Sequence, residues 1–291
     1  MPKISLFVFM LELYRGTGMF GYDTAIYAAT TGVDSTLANV GTNLLLVCAF
    51  LSLVIGTVVG LGQYRIKRLF AYSTISHVGF LLLALAISSE ESVEAFLFYI
   101  VQYSLTNINA FFVLLAFGYL GLKAPNSSVD LARDNQVVSP AGWAQESTTG
   151  RCFAADIQFI SELRGQFRAN PILGLSLAIC LFSMAGVPPL VGFFAKYTVL
   201  YTAIHNGYTF LAVIAILSSV VSAVYYLRVI RVIHFDVPSA AQLDTQSGVT
   251  AVTSVHSYVI ATLTLFVVLF AANPNLLLNS TSIMALSLYA A

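Results

Sequence analysis

The sequence predicts an all-α polytopic membrane protein with about six full spans, one partial span and a proline-broken helix near 186–189. Three observations carry that prediction. Hydrophobic residues make up 58% of the 291 residues and charged ones only 9%, with a mean hydropathy of +0.85, more apolar than the core of a soluble chain requires. The apolar blocks are continuous over the roughly 20 residues a spanning helix needs instead of alternating over about ten, which selects a helical bundle over a barrel. Lys and Arg fall mostly on one side of the threading that those blocks impose.

Residues 1–15 form a partial span. From Lys3 to Arg15 a helix rises only about 18 Å of a roughly 30 Å hydrocarbon core, so Lys3 is placed in mid-membrane. Either Lys3 is an ordinary flanking charge at a frayed start, or another segment continues the helix upstream and pairs its open donors. Residues 38–121 hold three spans, in the blocks 38–62, 69–88 and 93–121. The second opens with QYRIKRLFAYSTISHVGFLL, in which three cations at a turn lead into Ser73, Thr74, Ser76 and His77. A lone histidine among hydroxyls is either a satisfied bundle contact or a proton-path residue. Residues 122–169 form a loop with scattered charge and little periodicity, with a short amphipathic helix expected around Ala155–Phe167.

Residues 170–233 carry the string MAGVPPLVGFFAK. Pro188 and Pro189 remove two backbone donors and clash with the preceding turn, so the helix is interrupted between Gly186 and Pro189. A break at membrane depth is tolerated where it lines a protein cavity, and a lysine in the bilayer is costly unless it faces a polar interior. Lys196 is therefore a functional candidate; the bland alternative is a lysine that snorkels over the roughly 8 Å to the end of its block. Tyr225 and Tyr226, beside Arg228 and Arg231, have the composition of interfacial belt anchors, and His205 and His234 sit at span ends. Residues 250–272 form the last span and 273–291 a tail on the positive side.

Arg65, Lys67, Arg68, Lys123, Arg133, Arg151, Arg164, Arg168, Arg228 and Arg231 land on one side, ten of the 13 cationic residues. The opposite side keeps Arg15 and carries Asp23, Asp34, Glu90, Glu91 and Glu94. The basic loops are retained on the negative side, cytoplasm or matrix. Formal net charge is zero, which gives no basic surface for nucleic acid, and Cys48, Cys152 and Cys180 lack metal or disulfide spacing. The chain contains no nucleotide fingerprint, no iron–sulfur cysteine cluster and no flavin or haem motif.

The strings PKISLFVFMLELY, QYRIKRLFAYSTISHVGFLLLA, MAGVPPLVGFFAKYTVL and SAVYYLRVIRV, in this order and spacing, resemble chain 2 of respiratory NADH:ubiquinone oxidoreductase (complex I). The resemblance covers almost the whole chain apart from the 122–155 insert and the last twenty or so residues. It implies an antiporter-like bundle of two inverted five-helix repeats, each with a broken helix, in a proton-translocating membrane-arm subunit. On the matching strings, Lys196 takes the place of the lysine of the second broken helix, Lys3 that of the mid-membrane lysine between the repeats, and His77 that of a polar residue near the second half-channel.

The same resemblance implies that this chain binds no cofactor, with NADH, flavin, iron–sulfur clusters and ubiquinone held elsewhere in the assembly. The implied partners are other membrane-arm subunits, lipids and no nucleic acid; the implied location is the mitochondrial inner membrane or a bacterial plasma membrane. A complete member has about seven further helices before PKIS, so the expected upstream partner is a separate polypeptide carrying the N-terminal half, unless the sequence is a truncation. A subunit of a multi-subunit Na+/H+ antiporter and a non-pumping fragment of the membrane arm are the competing functional readings.

Overall fold

The computed structural model describes residues 2–16, 36–87, 89–122, 159–236, 254–270 and 273–290. These residues are nearly all helical: α1 (Pro2–Gly16), α2 (Thr36–Leu61), α3 (Ile66–Ile87), α4 (Glu90–Leu122), α5 (Gln166–Ala169), α6 (Pro171–Ala185), α7 (Val191–His205), α8 (Thr209–His234), α9 (Ser254–Leu269) and α10 (Asn275–Ala290). Among the described residues four stretches are long and apolar enough to cross a membrane, Gly41–Leu61, Ile66–Ile87, Glu90–Gly118 and Thr209–His234. The block 170–202 is instead two 15-residue halves, α6 and α7, and the last predicted span is the shorter apolar helix Val255–Leu269.

Two expectations change. Over the described part of 155–167 there is no single amphipathic helix. Phe159 bridges Arg65, a 3-10 turn runs from Ile160 to Leu163, and Gly165 at φ 70° breaks the direction before α5 begins. Ile160 and Leu163 are buried, so the stretch is a plug clamped to the bundle and does not lie flat on its surface. The segment expected as a tail folds into α10 and packs on α4, burying Thr281 and Ala285; its Asn and Ser residues dilute the apolar signal.

Small residues set a close helix approach between α2 and α3. A methyl on Gly56 would lie 2.5 Å from the Ser76 backbone nitrogen, and one on Gly79 would lie 2.8 Å from Leu53 Cγ. With no hydrophobic drive between helices in lipid, such small-residue contacts are what lets backbones approach and pack. Helix α4 runs through the interior and touches α3, α6, α7, α9 and α10. The outer faces of α2 and α8 are lined by exposed Leu44, Val58, Phe210, Leu217 and Val220, the reverse of a soluble bundle.

One end of the bundle gathers the described basic loop residues. Arg228 Nη1 donates to the Leu61 carbonyl at 3.0 Å, Ile160 N–H donates to the Tyr64 carbonyl at 3.1 Å, and Arg164 pairs with Asp236 at 3.6 Å. The α2–α3 turn, the plug and the end of α8 therefore share that end. At the other, Asn206 donates to Ser89 at 3.4 Å, joining the α7–α8 and α3–α4 turns.

Candidate functional site

Helix α6 ends because Gly186 adopts φ +88°, a left-handed conformation that glycine takes without cost. The Gly186 N–H donates to Ser183 and the Val187 N–H to Phe182, the paired bonds of a Schellman cap. Pro188 and Pro189 occupy the gap, and α7 starts at Val191. One open donor at its start is met across the break, where the Gly192 N–H donates to Ser183 Oγ at 3.3 Å. Gly192 is packed so closely on Ser183 that an added methyl would overlap the Ser183 carbonyl, and Gln102 of α4 lies on the same spot.

The cap leaves the Ala185 carbonyl for another donor. Lys196, one turn into α7, turns back and donates from Nζ to that oxygen at 2.9 Å. Its side chain is 7% exposed, so it does not snorkel; the ammonium is held at the carboxyl end of α6, where the helix dipole favours a cation. Gly186 leaves room for the stem, since a methyl there would sit 3.0 Å from Lys196 Cδ. The Phe80 ring of α3 closes the other side, its centroid 5.7 Å from Nζ, within cation–π range. Ammonium and neutral amine both suit this setting, because either can donate to a carbonyl.

A second polar centre surrounds His77. Nδ1 lies 2.8 Å from the Tyr99 hydroxyl and Nε2 lies 3.1 Å from that of Tyr226, which also bonds Ser73. The Tyr103 ring lies tilted against the imidazole with centroids 4.8 Å apart, and its hydroxyl donates to Thr74 at 2.9 Å. All six side chains are buried. Three helices, α3, α4 and α8, thus contribute to one hydrogen-bonded cluster.

Residues 22–131 and 146–222 match the model of a transmembrane family described as NADH:quinone oxidoreductase/Mrp antiporter. The chain belongs to that family. It is 49% identical, over 99% of its own length, to NADH-ubiquinone oxidoreductase chain 2 of Rhizopus oryzae, and it spans 51% of that relative. Its fold matches a chain of respiratory complex I from Thermus thermophilus at 25% identity and TM-score 0.57, covering 81% of this chain and 45% of that one. A chain of the Mrp complex from Dietzia sp. shares the fold at 15% identity and TM-score 0.62, covering 85% and 47%. The chain therefore spans about half the length of these relatives, and it is a multi-pass membrane protein of the complex I antiporter-like type.

Within this antiporter family chain, the structure brings Lys196, Gly186 and the proline gap into one site and places His77 in the neighbouring cluster. Lys3 lies in the first turn of α1; its side chain is outside the described ones. Tyr225 and Tyr226 are not interfacial anchors. Both are fully buried, because the α8 face that carries them packs against α2 and α3, where Gly60 would bring a methyl within 3.3 Å of the Tyr225 ring. Tyr99 and Tyr103 escape a reading of the sequence, although they sit four apart in FYIVQYSLTNIN with Gln102, Thr106 and Asn109, a polar face inside an apolar block. Asn109 donates to Cys180 at 3.2 Å and ties α4 to α6.

Proposed function

We propose that this chain forms the second, broken-helix half of a proton-translocating membrane-arm subunit of NADH:ubiquinone oxidoreductase. The observation that carries the reading is Lys196, a buried amine held on the carbonyl that a helix break sets free. Such a group can take up and give up a proton without refolding, because its acceptor persists in both states. Quinone reduction takes place elsewhere in the assembly, with NADH, flavin, iron–sulfur clusters and ubiquinone all bound by other chains. Lys196 alternately holds and releases its proton as neighbouring charges change, and Lys3 and His77 belong to the same path. The basic end of the bundle faces the matrix of the mitochondrial inner membrane, in keeping with retention of Lys and Arg on the negative side.

The partners under this reading are other membrane-arm subunits, lipid on the outer faces, and a separate polypeptide that supplies the N-terminal half. The Na+/H+ antiporter alternative is supported by the family description, which covers both kinds of subunit, and by a shared fold at 15% identity.

Lys196→Met keeps length and apolar contact while deleting the charge. It is expected to leave assembly intact and to lower proton pumping in reconstituted vesicles, normalised to assembled complex, together with coupled quinone reduction. Lys196→Arg is expected not to restore it, because guanidinium stays protonated. Full pumping by the Met variant would remove Lys196 from the mechanism.

A further inference from the structure

We propose that the Phe80 ring is the apolar gate between Lys196 and the His77 cluster, so that a proton crosses between them only when water enters beside that ring. The proposal rests on the reading of Lys196 as the proton carrier.

Consecutive contacts run from the amine to the ring, from the ring to the phenol and from the phenol to the imidazole. Lys196 Nζ lies 5.7 Å from the Phe80 centroid, and Phe80 stacks on Tyr99 with centroids 5.8 Å apart and planes 16° off parallel. The Tyr99 hydroxyl meets His77 Nδ1 at 2.8 Å. Among the described residues no hydrogen bond joins Lys196 to Tyr99 or His77; the amine's acceptor is the Ala185 carbonyl. Phenylalanine has neither donor nor acceptor, so protons cannot pass through its side chain. The ring is 2% exposed, and α3 cannot back away from it. Behind Phe80, Gly79 is pressed on Leu53 and Gly56 on Ser76, closing the α2–α3 contact.

Donor accounting fixes what happens on the far side. Among the described residues the Tyr99 hydroxyl has one partner, His77 Nδ1. If Nδ1 carried the hydrogen, the buried phenol would have none to give it to, so Tyr99 donates to Nδ1 and Nε2–H donates to Tyr226. With water admitted past Phe80, the ammonium passes a proton to the water. The water protonates the Tyr99 oxygen, and the hydroxyl's own hydrogen moves to Nδ1. The balance is ammonium plus neutral imidazole giving amine plus imidazolium, with Tyr99 unchanged; the reverse transfer uses the same steps.

The test uses the assembled complex in sealed membrane vesicles with an entrapped pH dye, without NADH, after an imposed pH gradient. Phe80→Ala is expected to speed decay of the gradient several-fold per assembled complex, whereas Phe80→Leu, which keeps an apolar plug, leaks no faster than wild type. The leak is expected to vanish in Phe80→Ala combined with Lys196→Met. A purely structural Phe80 would lower stability in both single variants and change leak in neither. Decay at the wild-type rate in Phe80→Ala overturns the proposal, as does a leak that persists undiminished in the double variant. Should the alanine variant fail to assemble, Phe80→Val replaces it, with the same leak expected and decay at the wild-type rate again overturning the proposal. Full pumping by Lys196→Met alone would instead fell the reading of Lys196 and would leave the leak measurement standing as a separate result.

Discussion

The two polar centres of this bundle solve the same problem in opposite ways. Lys196 is a single ionisable group whose partner is a backbone carbonyl, available because α6 stops at Ala185. His77 sits in the unbroken helix α3, where no backbone group is free, so its partners are side chains, Tyr99 and Tyr226. A chain that keeps its helices whole must bring in hydroxyls from neighbours, because in lipid the backbone bonds are already committed. A chain that breaks a helix obtains an acceptor locally and must fit the break to the helices around it. The lysine centre should therefore be sensitive to small residues, and the histidine centre to hydroxyls.

The largest effect expected from this contrast is at Gly192. Gly192→Ala would drive a methyl into the Ser183 carbonyl, and no rotamer change relieves a backbone clash. Assembly on native gels should be lost, with destabilisation of about 3 kcal/mol or more. Gly118 offers the control, with nothing within 4 Å of an added methyl; Gly118→Ala should be neutral or stabilising by up to about 1 kcal/mol. Equal behaviour of the two would show that the break is not tightly packed.

Next comes Tyr226→Phe, which keeps the ring but deletes the hydroxyl shared by Ser73 and His77. Leaving buried partners unpaired should cost about 1–3 kcal/mol, read as a lower thermal transition of the purified complex. Gly186→Ala should cost about 1 kcal/mol for its left-handed backbone, with a further penalty where the methyl meets Lys196 Cδ. The centres share no hydrogen-bond partner among the described residues, so the double variant Tyr226→Phe/Gly186→Ala should be additive within about 0.5 kcal/mol. A larger coupling would mean that the two act as one unit. The smallest effect is at Arg228, an exposed donor to the Leu61 carbonyl; Arg228→Ala should change stability by no more than about 0.5 kcal/mol.

Some of the site is legible in the sequence. The helix break can be located to within a residue or two because proline and glycine act through their own backbone, whatever surrounds them. Lys196 stands out because a cation is rare in so apolar a run. The shared end of the basic loops follows from the lengths of the apolar blocks. Tyr225 and Tyr226 are misplaced at the interface because tyrosine beside arginine has the same local appearance whether its helix face meets lipid headgroups or another helix. Tyr99 is missed because nothing near it in sequence asks for a phenol; its imidazole partner is 22 residues away, and the Tyr226 hydroxyl is 149 from the same ring.

By itself, then, the sequence determined what depends on single residues and on segment length: helices long enough for a bilayer, the interruption at Gly186–Pro189, and a lysine with no local reason to be there. Only the tertiary structure decided that the amine turns back to Ala185, that the imidazole meets two phenols, and that Phe80 touches both Lys196 and Tyr99. The reason is geometric. In lipid, with little hydrophobic preference to say which face of an apolar helix turns inward, the choice falls to close packing at positions such as Gly56, Gly79 and Gly192, and close packing is a property of pairs of helices.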